Sequence, residues 1–208
     1  ESDTDYSQYS QELRINGNVG NVELTSGLFY WYSSYDTDSV TNDLFEWLAG
    51  LPDGSVGTIS QHGKTESYAA FTSADWAVTE KLTLSAGLRY TWEEKTMKPV
   101  GQQLFFPDGT PVAPGGFKAS DNKDWDKWSP RLGAQYQFTD NIMTYVSYSE
   151  GFKSGGFFGR ITLADATDAN LQSFDPEEVQ TYELGLKSTW WDQRLRFNAA
   201  IFTSDYSD

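Results

Sequence analysis

Hydrophobic and polar positions alternate strictly from Leu82 to Glu93. Leu82, Leu84, Ala86, Leu88, Tyr90 and Trp92 fall on one side of the pattern, and Thr83, Ser85, Gly87, Arg89, Thr91 and Glu93 on the other. A two-residue period predicts a pleated strand whose faces meet different environments. It lasts for about the 9 to 11 residues that a tilted strand needs to cross a bilayer. The apolar face ends in Tyr90 and Trp92, amphipathic rings that favour the membrane interface. The pattern therefore predicts a transmembrane β-strand.

Short turns divide similar segments into hairpins. Asn16 to Asn21 separates Tyr9–Ile15 from Val22–Tyr35, and Thr79-Glu80-Lys81 separates Tyr68–Val78 from Leu82–Glu93. Thr139-Asp140-Asn141 divides Trp128–Phe138 from Ile142–Lys153, and Trp191-Asp192-Gln193 divides Val179–Trp190 from Leu195–Tyr206. Each pair reads as an antiparallel hairpin. Between hairpins lie polar connections over Asp36–Gly63, Thr96–Asp124 and Ser154–Asp175. Connections of that length inside a domain are usually functional. Short turns at one end and long loops at the other are the asymmetry of outer-membrane barrels. The expected fold is all-β: an antiparallel up-and-down transmembrane barrel segment of about eight strands, with short periplasmic turns and long extracellular loops.

The alternation also assigns faces. Tyr68, Ala70, Thr72, Ala74, Trp76 and Val78 are expected outward with Phe71 and Asp75 inward; Pro130, Leu132, Ala134, Tyr136 and Phe138 outward with Arg131, Gly133, Gln135 and Gln137 inward. In the last hairpin Tyr182, Leu184, Leu186, Trp190, Leu195, Phe197, Ala199 and Ile201 are outward, leaving Glu183, Gly185, Lys187, Arg196 and Asn198 inward. Ile142–Ser149 carries apolar residues in both registers, so its faces stay open. Inward Arg89, Glu93, Arg131, Glu183, Lys187 and Arg196 carry both signs of charge, beside the small Ser85, Gly87, Gly133 and Gly185. Charges in a lumen must be paired or hydrated. They form either a mutually neutralising wall or a docking wall for something lodged inside.

Composition narrows the reading. The chain has 208 residues, 16% of them aromatic, and a mean hydropathy of -0.57 without an apolar run long enough for a membrane helix. Rings at two interfaces explain such an aromatic content, as does a sugar-binding sandwich. The absence of Cys excludes disulfides and thiolate chemistry. A net charge of -15 argues against nucleic acid. Much of the acid lies at Asp36, Asp38, Asp43, Glu46, Asp53, Asp121, Asp124, Asp126, Asp165, Asp168 and Asp175. Solvated loop tips explain it, with calcium or a cationic substrate as the alternative.

Catalytic constellations are weak. The glycine-rich run Gly151–Gly159 lacks phosphate-loop spacing, and the single His62 has no nucleophile motif beside it. Glu93-Glu94 and Glu177-Glu178 are strand neighbours that point to opposite faces, so neither pair can flank one bond. No catalytic residue, cofactor or metal ligand is assigned, and the chain does not read as an enzyme.

Two strings carry a resemblance. Tyr145 to Phe157 reads YVSYSEGFKSGGF, and Phe174 to Lys187 reads FDPEEVQTYELGLK; Ser10-Gln11-Glu12-Leu13-Arg14 and Leu82–Tyr90 add to them. In this order and spacing the chain resembles the barrel of TonB-dependent outer-membrane receptors, over nearly its whole length. That resemblance implies residence in the outer membrane of a Gram-negative bacterium and a part in active uptake of a scarce ligand such as an iron–siderophore complex, haem, cobalamin or a glycan. It implies as partners the membrane lipid, a plug domain of the same polypeptide, the TonB complex and a small-molecule ligand, with no nucleic acid. Such receptors resemble a barrel of about 22 strands. The whole of residues 1–208 is therefore expected to be an internal part of the barrel domain, without plug or either barrel end. The same six lumenal charges, Arg89, Glu93, Arg131, Glu183, Lys187 and Arg196, would then face the plug. Ligand contact would fall to loop aromatics and a cation: Trp47, Phe105, Phe106, Phe157, Phe158 and Arg160. Two alternatives remain, a complete small outer-membrane barrel and a secreted aromatic-rich glycan-binding β-sandwich.

Overall fold

Eight strands form one antiparallel sheet in the computed structural model, which describes residues 1–42, 52–112, 117–158 and 171–207. In chain order these are β1 (Ser2–Val19), β2 (Val22–Asn42), β3 (Val56–Ala77), β4 (Leu82–Phe105), β5 (Phe117–Thr139), β6 (Ile142–Lys153), β9 (Glu177–Trp190) and β10 (Leu195–Ser207). Each pairs with the next, and β1 and β10 are the two edges. Between β6 and β9, β7 (Gly156–Phe157) and β8 (Ser173–Phe174) make a separate two-stranded ribbon.

The alternation sets the two faces. Across the lower part of the sheet Leu28, Ala70, Tyr90 and Trp128 lie in one cross-strand row, and Trp76, Leu84 and Ala134 in another. Leu88, Leu132 and Leu184 are 41%, 54% and 57% exposed. Apolar side chains this open, in a continuous band, are the outer wall of a barrel facing lipid. The band is bounded above by tilted ring pairs: Tyr30–Tyr68 at 5.0 Å, Tyr68–Trp92 at 5.8 Å, Tyr90–Trp128 and Tyr148–Tyr182 each at 4.8 Å. Trp76, Tyr136, Phe138 and Trp190 bound it below.

Pairing with β5 and β9 settles the faces of β6. Met143, Tyr145 and Ser147 sit opposite Lys187, Gly185 and Glu183, on the inner face, and Thr144, Val146 and Tyr148 sit opposite Leu186, Leu184 and Tyr182, on the outer. Tyr145 is thus an inward ring. It lies across Gly185, where an added Cβ would come within 2.2 Å of it, and its hydroxyl donates to Glu183. The same device recurs where Phe71 covers Gly27 and Tyr35 covers Gly63. The space over Gly185 is therefore filled by a neighbouring ring, whereas a Cβ at Gly87 or Gly133 would meet only ordinary contacts.

The strands run further into the polar connections than expected. β4 is 24 residues long and β5 is 23. At about 3.3 Å per residue such a strand reaches roughly 80 Å, well beyond a hydrocarbon core of about 30 Å. Phe105 accordingly ends a strand rather than lying in a loop. The backbone ladder needs no apolar face where water wets both sides, and there hydroxyl pairs join the strands: Ser2–Ser39 at 3.1 Å, Thr4–Thr37 at 3.0 Å and Ser7–Ser34 at 2.8 Å. The first turn likewise shortens to Gly20-Asn21, with Gly20 at φ 62°, and Asn16, Gly17 and Asn18 belong to β1.

The wall is uneven in height. Pairing of β5 with β6 stops at Arg131–Ser149, where Pro130, lacking an N–H, occupies the next position of β5. Above that point β5 continues beside β4 alone, while β6 ends at Lys153.

Candidate functional site

The ribbon β7–β8 folds onto the inner face of the tall strands β4 and β5. Phe157 meets Trp125 edge-on at 6.2 Å, and Gly155 lies so close to Trp125 that a Cβ there would reach the ring at 2.6 Å. Met97, Ala119 and Leu171 form a small buried cluster, with Tyr35 and Phe157 packed against it. Burial pushes the Tyr35 hydroxyl above its ordinary pKa.

Polar contacts anchor the ribbon. The Lys95 ammonium donates to the Gly155 carbonyl at 2.8 Å, and Ser154 donates to Glu93, which also pairs with Lys95 at 3.5 Å. Lys123 donates to Ser173 Oγ at 3.1 Å and pairs with Asp175 at 3.3 Å, and Lys127 pairs with Glu178. Beneath Ser154 a recess of about 630 Å³ opens on the inner face, lined by Phe29, Trp31, Arg89, Glu93, Phe152 and Ser154 among others. It combines aromatic walls with both signs of charge, the makeup of a pocket that orients a polar aromatic guest.

Of the six lumenal charges, Arg89 and Glu93 line that recess, while Lys187 and Arg196 line a lower one of about 330 Å³. Arg131 lies across from Gly87, on the inner face. Among the described residues no ion pair joins any two of the six. Glu93 pairs with Lys95, and rings and hydroxyls serve Arg89, Lys187 and Glu183. Arg89 lies 5.1 Å from the Phe29 ring and donates to Thr91 at 3.0 Å, Lys187 lies 5.3 Å from the Tyr145 ring, and Glu183 accepts from the Tyr145 hydroxyl.

The loop candidates separate. Phe157 belongs to the ribbon, and the exposed Phe158 stacks edge-on against Phe174 at 5.5 Å. At the far tip of the β4–β5 hairpin Phe105 ends β4 and Phe106 opens the turn, where the Gly109 N–H donates to the Phe106 carbonyl at 2.8 Å. In that turn Asp108 accepts from the Thr110 hydroxyl and N–H, which hold its carboxyl below the usual pKa. Trp47 and Arg160, with Asp43, Glu46, Asp165 and Asp168, lie outside the described residues. Asp36 contacts His62 at 2.6 Å, and among the described residues no three His, Asp or Glu are grouped to hold a metal ion.

Sequence reasoning passed over Lys95, Trp125, Lys123 and Lys127. Its available signal is the string Lys123-Asp124-Trp125-Asp126-Lys127, where cations and a ring occupy odd positions and acids even ones. That is strand periodicity written in charge rather than hydrophobicity.

A family model for the TonB dependent receptor-like β-barrel matches residues 1–208. The chain is 25% identical over 183 residues to the ferripyoverdine receptor of Pseudomonas aeruginosa, covering 85% of this chain and 18% of that protein. It is 30% identical over 141 residues to the probable TonB-dependent siderophore receptor PiuA of Acinetobacter baumannii, covering 67% and 18%. In structure it resembles the ferric yersiniabactin uptake receptor FyuA of Yersinia pestis, with a TM-score of 0.76 at 20% identity over 99% of this chain and 29% of that one. The copper transporter OprC gives a TM-score of 0.69 at 15% identity, over 100% and 31%. The chain thus spans less than a fifth of the length of these sequence relatives, which are receptors rather than enzymes. With its lipid-facing band, ring girdles and uneven polar rim, the chain belongs to the β-barrel domain family of the TonB-dependent receptors of the Gram-negative outer membrane.

Proposed function

We propose that residues 1–208 supply part of the wall and outer rim of a receptor that imports an iron–siderophore complex. The observation that carries this reading is the recess on the inner face beneath Ser154, where Phe29, Trp31 and Phe152 stand beside Arg89 and Glu93. Aromatic walls with a few fixed charges suit a chelate that is planar in its arms and charged at its centre. The relatives named for pyoverdine and yersiniabactin point to the same ligand class. On this reading a plug domain of the same polypeptide fills the lumen against Arg131, Glu183, Lys187 and Arg196, and TonB supplies the energy for its rearrangement. Arg89 and Glu93 stand where plug and ligand meet. Phe157 and Phe158 contact the ligand from the ribbon, and Phe105, Phe106, Trp47 and Arg160 from the rim.

Uptake of radioactive iron tests the proposal. Deleting the gene should abolish accumulation of at least one ferric siderophore under iron limitation, and loss of TonB should do the same. Unchanged accumulation across a panel of ferric siderophores in the deletion strain would overturn it.

A further inference from the structure

We propose that Lys95, Lys123 and Trp125 form an anion subsite, selective for negatively charged over neutral iron chelates, whose anion positions are filled by the ribbon β7–β8 in this structure. The inference rests on the iron-chelate reading above and specifies its ligand.

The charge arrangement is the first ground. The chain carries 30 acidic and 15 basic residues. Yet along upper β4 and β5 the inner face holds Lys95, Lys123 and Lys127, with Glu93 and Asp121 its acids, and the outer face holds Glu94, Asp124 and Asp126. Lys95 and Lys123 are direct cross-strand partners. Like charges placed opposite each other on a sheet repel unless an anion or a ring face lies between them. The Trp125 ring serves both, with the ammonium groups 5.9 and 5.5 Å from its centroid.

Trp125 gives the second, independent ground. It is 7% exposed, and its Nε1 is buried with no hydrogen-bond partner among the described residues. Buried donors are almost always paired, so an orphaned indole N–H calls for an acceptor. The ring atoms nearest to a Cβ on Gly155 are Cε2 and Cζ2, the former bonded to Nε1. The ribbon backbone therefore covers the N–H edge without bonding to it.

The ribbon's oxygens mark where ligand oxygens would bind. Lys95 takes the Gly155 carbonyl, and Lys123 takes Ser173 Oγ and Asp175. Asp175 is 81% exposed, and an ion pair that open to water holds weakly. An anionic chelate offers stronger, charge-assisted bonds to the same two ammonium groups and an acceptor for Nε1, so it displaces the ribbon.

The test titrates the complete receptor in detergent with three probes: the ferric complex of a hexadentate tris-catecholate, a trianion; that of a hexadentate tris-hydroxamate, which is neutral; and metal-free 2,3-dihydroxybenzoate. The double variant K95Q/K123Q should weaken the trianion on the order of tenfold and leave the neutral chelate within about twofold. D175N should tighten the trianion about twofold to threefold, which keeps the test open should the double variant fold poorly. Trianion affinity unchanged in both variants, or both chelates weakened alike by K95Q/K123Q while D175N has no effect, would overturn the subsite. Lysine-dependent binding of 2,3-dihydroxybenzoate with neither iron chelate bound would keep the anion site but overturn its selectivity for iron chelates, and would remove the iron-chelate reading with it. No binding of either anion by the parent protein would remove the subsite, and the uptake assay would still decide the wider function.

Discussion

The two halves of β4 follow different rules within one strand. From Leu82 to Trp92 every second residue is apolar and faces lipid; from Glu93 to Phe105 the same ladder to β3 and β5 continues, but neither face is consistently apolar. In the lower half the period separates hydrocarbon from lumen. In the upper half it separates charge, with Glu94 outside and Lys95 inside, and opposite them Asp124 outside and Lys123 inside. Backbone hydrogen bonding is common to both, so what changes at the ring girdle is the solvent, and the side chains change with it.

The sharpest way to break this comparison is to place the same charge in each half. Leu88→Arg, on the lipid face of the band, should cost about 2–4 kcal/mol in reversible folding of the complete barrel into bilayers. Thr96→Arg, on the outer face above the girdle, should stay within about 0.5 kcal/mol of the parent. Equal losses would mean that the upper half is also embedded in lipid.

A smaller effect separates two matched glycines. Gly185 lies under Tyr145 within the band, and Gly63 lies under Tyr35 above it. Alanine at Gly185 should cost about 1–3 kcal/mol, because the Tyr145 ring must leave its place and release Glu183. Alanine at Gly63 should loosen the upper sheet alone, seen as faster amide exchange in β2 and β3 with the global midpoint unchanged. A global loss from Gly63→Ala would show that the rim and the band unfold as one unit.

The smallest effect lies at the far tip. Thr110 holds the Asp108 carboxyl below its ordinary pKa, so the charged, bonded form is favoured in the folded tip. Its contribution is present above the unfolded carboxylate range and is lost as pH falls through the depressed folded value. Asp108→Asn should remove that acid-side transition in exchange of the turn amides and leave ligand affinity unaltered. A transition that persists in the variant would assign it to another group.

The membrane-spanning halves were legible because lipid enforces a strict binary pattern: Leu84, Leu88 and Leu132 announce their face. Lys123-Asp124-Trp125-Asp126-Lys127 obeys the same period but read as a polar loop, since hydropathy is blind to alternating charge. The faces of β6 stayed open for a related reason. Ile142, Met143, Tyr145, Val146 and Tyr148 place apolar bulk in both registers, and only pairing with Lys187, Gly185 and Glu183 decides between them. The family strings around Tyr145–Phe157 and Phe174–Lys187 marked the segments that bracket the ribbon. They gave no sign that it turns inward onto Trp125.

By itself the sequence determined the strand period, the lipid-facing band and the positions of the hairpins, because each follows from local residue spacing against a fixed solvent boundary; the family was legible only through the resemblance carried by the strings Tyr145–Phe157 and Phe174–Lys187. Only the tertiary structure decided that the strands extend far above the membrane, that β5 outruns β6 at Pro130, and that the ribbon covers Lys95, Lys123 and Trp125. Those features depend on which backbone edges find partners and on contacts between residues 30 to 60 positions apart, such as Lys95 with Gly155 at a separation of 60 and Lys123 with Asp175 at 52. No local pattern encodes such a meeting, since each partner satisfies its own neighbourhood equally well without the other.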